Sequence, residues 1–177
     1  MITVIAGTNR PNSRTKLLAE YCFKKIKEHS EGTNWIDLAE IQNDLFNDKM
    51  YDKDSMSPNL MKIQDDKFNP SKTIVVFLPE YNGGVPGIFK LFIDALSIRR
   101  YQETFAGKKA VLVGLASGRG GNLRGLEYAT GFLNYLGIHV YPKKYCISQI
   151  EDLFSEDTMS KKLIEELAAV INSALEF

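Results

Sequence analysis

Three short stretches of the chain, residues 2–6 (ITVIA), 73–78 (TIVVFL) and 110–116 (AVLVGLA), are apolar without alternation and rich in valine and isoleucine. Such continuous runs belong to parallel strands covered on both faces. Between them the apolar spacing changes to that of a helix. Leu17, Leu18, Tyr21, Cys22 and Ile26 share one face of a helix predicted over 15–29, and Leu123, Leu126, Leu133 and Leu136 mark another. A last helix is predicted over 157–175, with Leu163, Ile164, Leu167, Ile171 and Ala174 on its inner face. Shorter strands are predicted at 35–38 and 138–141, and further helices at 56–68 and 86–97.

Strand and helix therefore alternate five times, which implies an α/β sandwich of three layers: a parallel sheet, right-handed crossovers and helices on both faces. For five strands the common doubly wound order is 2-1-3-4-5, the flavodoxin-like arrangement. Its switch point lies between the first and third strands, and ligands bind beyond the carboxyl ends of those strands. No internal repeat, linker or low-complexity segment divides the chain, so one domain over 1–177 is expected. Residues 39–55 make a long connection for such a fold and are a candidate lid or subunit contact.

Composition narrows the function classes. The 177 residues carry 22 lysines and arginines against 22 aspartates and glutamates, so no global field draws the chain to a polyanion and a nucleic-acid partner is not expected. Cys22 and Cys146 form no C-x-x-C pair, and His29 and His139 stand at no metal-ligand spacing, so structural thiols and no metal are expected. The opening MITVIAG lacks a charged leader, and no apolar run reaches the ~18 residues a membrane span needs. A cytoplasmic protein without a membrane partner is the expectation.

Three strand exits carry the candidate chemistry. After the first strand, Gly7 to Thr15 reads GTNRPNSRT. Thr8, Ser13 and Thr15 offer hydroxyl donors at a helix start, where unpaired N–H groups already favour anions, and Arg10 or Arg14 adds positive charge. The same residues also suit a simple helix cap and a Pro11-Asn12 turn. Neither a G-x-x-x-x-G-K-[ST] nor a G-x-G-x-x-G pattern is present. What remains is a cradle for a monophosphate, and in this strand order the natural ligand of that kind is FMN. The third strand exits through Pro79, Glu80, Tyr81, Asn82 and Gly83, where glycine lets main chain approach a planar ligand and tyrosine can flank a ring. The fourth exits through Ser117, Gly118, Arg119, Gly120 and Gly121.

With GTNRPNSRT, PEYNGGVPGIFKLFIDALS and ASGRGGN in view, the chain resembles the NADPH-dependent FMN reductase family of flavodoxin-like flavoproteins, which includes quinone, azo-dye and chromate reductases. The resemblance implies that Thr8, Arg10, Ser13 and Thr15 hold the FMN phosphate, beside which Arg14 is a further candidate. It implies that Pro79, Glu80, Tyr81, Asn82 and Gly83 line the isoalloxazine, and that Ser117, Gly118, Gly120 and Gly121 meet its polar edge. It further implies NADPH or NADH as donor, a small-molecule acceptor and a homodimer or homotetramer. Leu91 and Ala95 depart from the family's asparagine and tryptophan in the third helix. No catalytic side chain is required, because the cofactor carries the chemistry. The other reading is a non-enzymatic flavin carrier or sensor; such carriers tend to be acidic, and the neutral balance of this chain favours the enzyme. Phe89, Phe92 and Ile93 belong either to the core or to a dimer contact.

Overall fold

In the computed structural model, which describes residues 1–45, 49–52, 54–155 and 158–177, the apolar runs form the centre of a parallel sheet. Strands β1 (Ile2–Ala6), β3 (Thr73–Pro79) and β4 (Lys109–Leu115) lie side by side, flanked by β2 (Thr33–Asp37) on one edge. On the other edge lie β5 (His139–Val140) and β6 (Tyr145–Ile147). The order β2-β1-β3-β4-β5, with β6 also on β4, is the doubly wound arrangement expected. Because successive side chains point to opposite faces, the same three strands supply two cores. Ile5, Ile74, Val76, Leu78 and Leu112 pack under α4 (Gly87–Ser97) and α6 (Leu123–Tyr135). Val4, Val75, Phe77, Val111 and Val113 pack under α1 (Arg14–His29) and α7 (Lys161–Glu176).

The fifth lane departs from expectation. Residues 138–141 yield only β5, after which the lane resumes as β6. Between Ala110 and Val113 the β4 register advances three residues, whereas its partner advances five, from Val140 to Tyr145, so two residues loop out. Pro142 sits in this excursion, where a residue without an N–H does least harm to a ladder. The last helix begins at Lys161, because Ser160 caps it by accepting the Leu163 N–H at 3.2 Å; residue 157, its expected start, lies outside the described residues. Three short elements carried no periodic signal: α2 (Gln42–Leu45), α5 (Tyr101–Phe105) and the hairpin of β7 (Phe154–Ser155) and β8 (Thr158–Met159). Between α2 and β3 runs α3 (Pro58–Ile63), continued by a π turn at Gln64–Phe68, in place of one uniform helix over 56–68.

Within the connection at 39–55, Ile41 and Leu45 are buried and α2 packs on α4; residues 46–48 and 53 lie outside the described set. Phe89, Phe92 and Ile93 are all core residues. No helix among the described residues is long and apolar enough to cross a membrane.

Candidate functional site

Parallel pairing in register carries the exits of β1, β3 and β4 to one edge of the sheet. The loops there are tied to one another by main-chain bonds. Gly7 N–H donates to Phe77 O at 2.9 Å, and Glu80 N–H donates to Leu115 O at 2.8 Å. The approach of the first pair leaves no space for a side chain, since a Cβ on Gly7 would lie 2.8 Å from Phe77 O and 2.6 Å from Leu78 Cδ2. Asn122, buried at the start of α6, reaches back to donate from Nδ2 to Leu78 O at 2.9 Å. Its Oδ1 is buried without a hydrogen-bond partner, and it occupies the position that a side chain on Gly125 would fill.

These loops enclose a cavity of about 310 Å³, the scale of a small-molecule site. Arg10, Ser13, Arg14 and Thr15 line it from the β1 exit and the first turn of α1. Pro79, Glu80 and Tyr81 line it from the β3 exit, and Ser117 from the β4 exit. The α1 end is suited to an anion. Its first turn contains no acidic residue, two arginines stand beside it, and the Ser13 hydroxyl caps it by accepting the Lys16 N–H at 3.1 Å, which leaves the hydroxyl proton free to donate elsewhere. Arg14 also stacks on Phe154, its guanidinium carbon 4.2 Å from the ring centroid, so the β7–β8 hairpin leans on this corner.

Other residues expected at the site lie near it without lining it. Thr8 is 1 % exposed and sits one layer behind, its Oγ1 2.6 Å from the Tyr81 hydroxyl and accepting the Arg10 N–H at 3.1 Å. Asn82 and Gly83, both at positive φ (53° and 77°), are the central residues of a tight hairpin turn closed by reciprocal bonds between Tyr81 and Gly84. That is the Asn-Gly turn whose twist suits a hairpin. Gly118 accepts the Gln149 N–H through its carbonyl, and Gly120 accepts that of Leu123. Gly121, at φ 54°, is a packing position: a Cβ there would come within 2.6 Å of the Cys146 carbonyl carbon.

The structure adds Asn12, Leu115, Ala116, Ile150 and Glu151 to the lining. Ile150 and Glu151 begin the 3-10 turn Ile150–Leu153 that follows β6. Its Ile150 N–H donates to Ala116 O at 3.1 Å, and Ser117 donates its hydroxyl to Glu151 Oε1 at 3.0 Å. The available signal was positional: this segment leaves the carboxyl end of a strand beside β4, where such sheets gather ligands, but that strand had to be recognised first. At the neighbouring end of β2, the Asp37 carboxylate is 1 % exposed and held by Lys16 Nζ at 2.6 Å. Hydrogen bonding to Asp37 raises the lysine above its ordinary value of 10.5.

Proteins of known structure or activity share this fold or part of this sequence. An NAD(P)H-dependent FMN reductase of Pseudomonas aeruginosa is 27 % identical over 138 residues, spanning 74 % of this chain and 73 % of that protein. FerB, described as a flavoenzyme NAD(P)H:(acceptor) oxidoreductase from Paracoccus denitrificans, superposes with a TM-score of 0.72 at 19 % identity over 97 % of this chain and 94 % of that one. An FMN-dependent NADH-azoreductase of Bacillus anthracis, solved in complex with FMN, superposes at 0.63 and 15 % identity, covering 98 % and 96 %. At these identities the solved structures speak for the fold, while the family model described as NADPH-dependent FMN reductase matches residues 1–152, across all the loops that meet at the cavity. The chain thus belongs to the NADPH-dependent FMN reductase family.

Proposed function

We propose that this protein, an FMN-dependent oxidoreductase by family, holds FMN in the cavity beyond β1, β3 and β4. NAD(P)H delivers a hydride there, and the electrons leave on a small acceptor: free flavin, a quinone, an azo compound or a metal oxyanion. The observation that carries this reading is the convergence of an acid-free helix start, two arginines and a tyrosine-bearing turn on one cavity. That donor set fits a singly phosphorylated heterocycle: hydroxyl and N–H donors with positive charge at one end, the Tyr81 hydroxyl held at that end by Thr8, and the rings of Pro79 and Tyr81 as a partly apolar flank.

FMN supplies the hydride-accepting chemistry when bound. The chain's own residues bind and orient. Ser13 and the first N–H groups of α1 hold the phosphate, Arg10 and Arg14 balance its charge, and Pro79 with Tyr81 gives the ring a partly apolar wall. The main chain of the β4 exit around Ser117 would face the polar edge of the ring, the Ser117 hydroxyl itself being donated to Glu151. Neither Glu80 nor Glu151 is needed as a proton carrier.

A flavin carrier is the competing function, and turnover separates the two. Purified protein should take up FMN with a shift in its visible spectrum, and should oxidise NADPH or NADH continuously when flavin or quinone is added. Rapid flavin binding with no nicotinamide oxidation would leave a carrier; no flavin binding would remove both.

The whole of 1–177 acts as one unit in this reading, in the cytoplasm, as a homodimer or homotetramer. The surface that supports assembly is on α6, where Tyr135 is 85 % exposed and Tyr128 and Leu123 are also exposed. Tyr128 and Tyr135 stand seven residues apart on one helix face, with Phe132 packed edge-on against Tyr128 at 5.3 Å.

A further inference from the structure

We infer that the phosphate of the bound flavin is recognised through a two-hydroxyl chain, in which Thr8 orients Tyr81 and Tyr81 donates to the phosphate; this rests on the FMN reading above. Thr8 does not line the cavity, whereas Tyr81, Arg10 and Ser13 do. Yet Thr8 is the residue whose hydroxyl joins the two loops, lying 2.6 Å from the Tyr81 hydroxyl while accepting the Arg10 N–H at 3.1 Å.

The donor count decides the direction of the chain. A threonine hydroxyl has one proton and two acceptor sites. The Arg10 N–H occupies one acceptor site, so the contact with Tyr81 runs one of two ways. If Tyr81 donates to Thr8, the phenol turns only lone pairs to its surroundings, and an anion nearby is repelled. If Thr8 donates to Tyr81, the phenol proton is released toward the cavity. An anion at the α1 start selects the second arrangement, and each bond strengthens the next because the chain is polarised in one sense. The backbone keeps the phenol in place: Tyr81 begins the reciprocal hairpin turn with Gly84, and Glu80 N–H is anchored to Leu115 O. Phosphate at the β1 exit is thereby felt at the β3 exit, where the ring would lie. Thr8 is a positioning residue for the phosphate and Tyr81 its contact.

The test compares FMN with riboflavin, which lacks the phosphate, by quenching of flavin fluorescence. Wild type should prefer FMN. Thr8→Val and Tyr81→Phe should each lower the FMN-to-riboflavin affinity ratio by about tenfold or more, as expected for losing a hydrogen bond to a charged group, with little change in riboflavin affinity. The double variant should lose no more than either single one, the mark of residues acting in one chain, and Thr8→Ser should restore the ratio. An unchanged ratio in Tyr81→Phe overturns the inference, as does a double variant whose losses multiply. Equal loss of both flavins would likewise overturn it, since that reports a damaged cavity rather than phosphate recognition. Tyr81→Phe serves even if Thr8→Val does not fold, because Tyr81 lies outside the buried core. Wild type that binds riboflavin as well as FMN would instead sink the FMN reading itself.

Discussion

Lys16 Nζ lies 2.6 Å from Asp37 Oδ2, joining the first turns of α1 to the carboxyl end of β2 through a carboxylate that is almost wholly buried. Asp37 Oδ1 accepts the Ala39 N–H at 3.0 Å, so the carboxylate spends one oxygen on the turn after β2 and the other on the lysine. Lys16→Met strands that charge. Breaking a buried pair costs about 3–5 kcal/mol, but Lys16 is 35 % exposed and solvent screens part of the loss, so urea unfolding should show a destabilisation of about 1–3 kcal/mol. Adding Asp37→Asn to that variant should recover part of it. Because Lys16 is raised in the folded state, its contribution is complete below 10.5 and fades as pH climbs through the higher folded value.

Lys108 behaves in the opposite sense. It is 5 % exposed at the amino end of β4, donating to Asn69 O at 2.8 Å and Ser71 O at 2.5 Å, and burial pushes it down from 10.5 to about 8. Below pH 8 the lysine is charged in both folded and unfolded chains. Between 8 and 10.5 the unfolded chain holds more protons, so this residue makes stability rise with pH across that window. The difference in unfolding free energy between Lys108→Met and wild type should therefore change across pH 8–10.5 and be flat below it. A parallel pair of curves throughout would contradict the assignment.

The Ser13 hydroxyl caps α1, and the FMN reading also gives it phosphate. Ser13→Asp separates the two, since aspartate is as good a cap as serine but brings a negative charge to an anion subsite. Thermal stability should stay within about 0.5 kcal/mol of wild type or improve, while FMN affinity falls at least tenfold. Ser13→Ala should lose both, with about 0.5–2 kcal/mol of stability gone with the cap. A Ser13→Asp variant that keeps its FMN affinity would place the phosphate elsewhere.

Glycines of the β4 exit divide into two kinds. A Cβ at Gly118 or Gly120 would meet nothing within 4 Å, whereas one at Gly121 would run into Cys146 main chain at a positive φ. Gly121→Ala should cost more than about 2 kcal/mol and lower the soluble yield, while Gly118→Ala and Gly120→Ala should unfold like wild type within about 0.5 kcal/mol. Any loss of FMN affinity in the latter two then reports on the ligand and not on folding.

Charge placed on the exposed aromatic face of α6 tests assembly. Tyr128→Glu with Tyr135→Glu should lower the solution mass measured by light scattering to that of one chain, with the far-ultraviolet circular dichroism unchanged. A wild-type mass already equal to one chain, 20.0 kDa, would remove the proposed oligomer.

Much of the fold was legible because its signals are local. β1, β3 and β4 are buried on both faces and therefore read as unbroken apolar runs, and α1, α4 and α6 show the helical spacing of residues facing a sheet. The split of the last lane around Pro142 was not legible, since two-residue and three-residue strands carry no period and their pairing with β4 is a long-range fact. For the same reason no local pattern marks Ile150 and Glu151 as cavity residues: they reach the cavity only through that pairing.

By itself, the sequence determined that the chain would alternate strand and helix, and which three strand exits would lie together at one edge of the sheet. Those properties reside in residue type and spacing along the chain. Only tertiary structure decided how each loop residue is used. It set Thr8 behind Tyr81, gave Asn82 and Gly83 to a turn, committed Gly121 to packing on Cys146, and brought Glu151 against Ser117. A hydroxyl, an amide or a glycine is equally suited to a ligand or to a neighbouring loop, and which of the two it meets depends on distances between segments that are far apart in the chain.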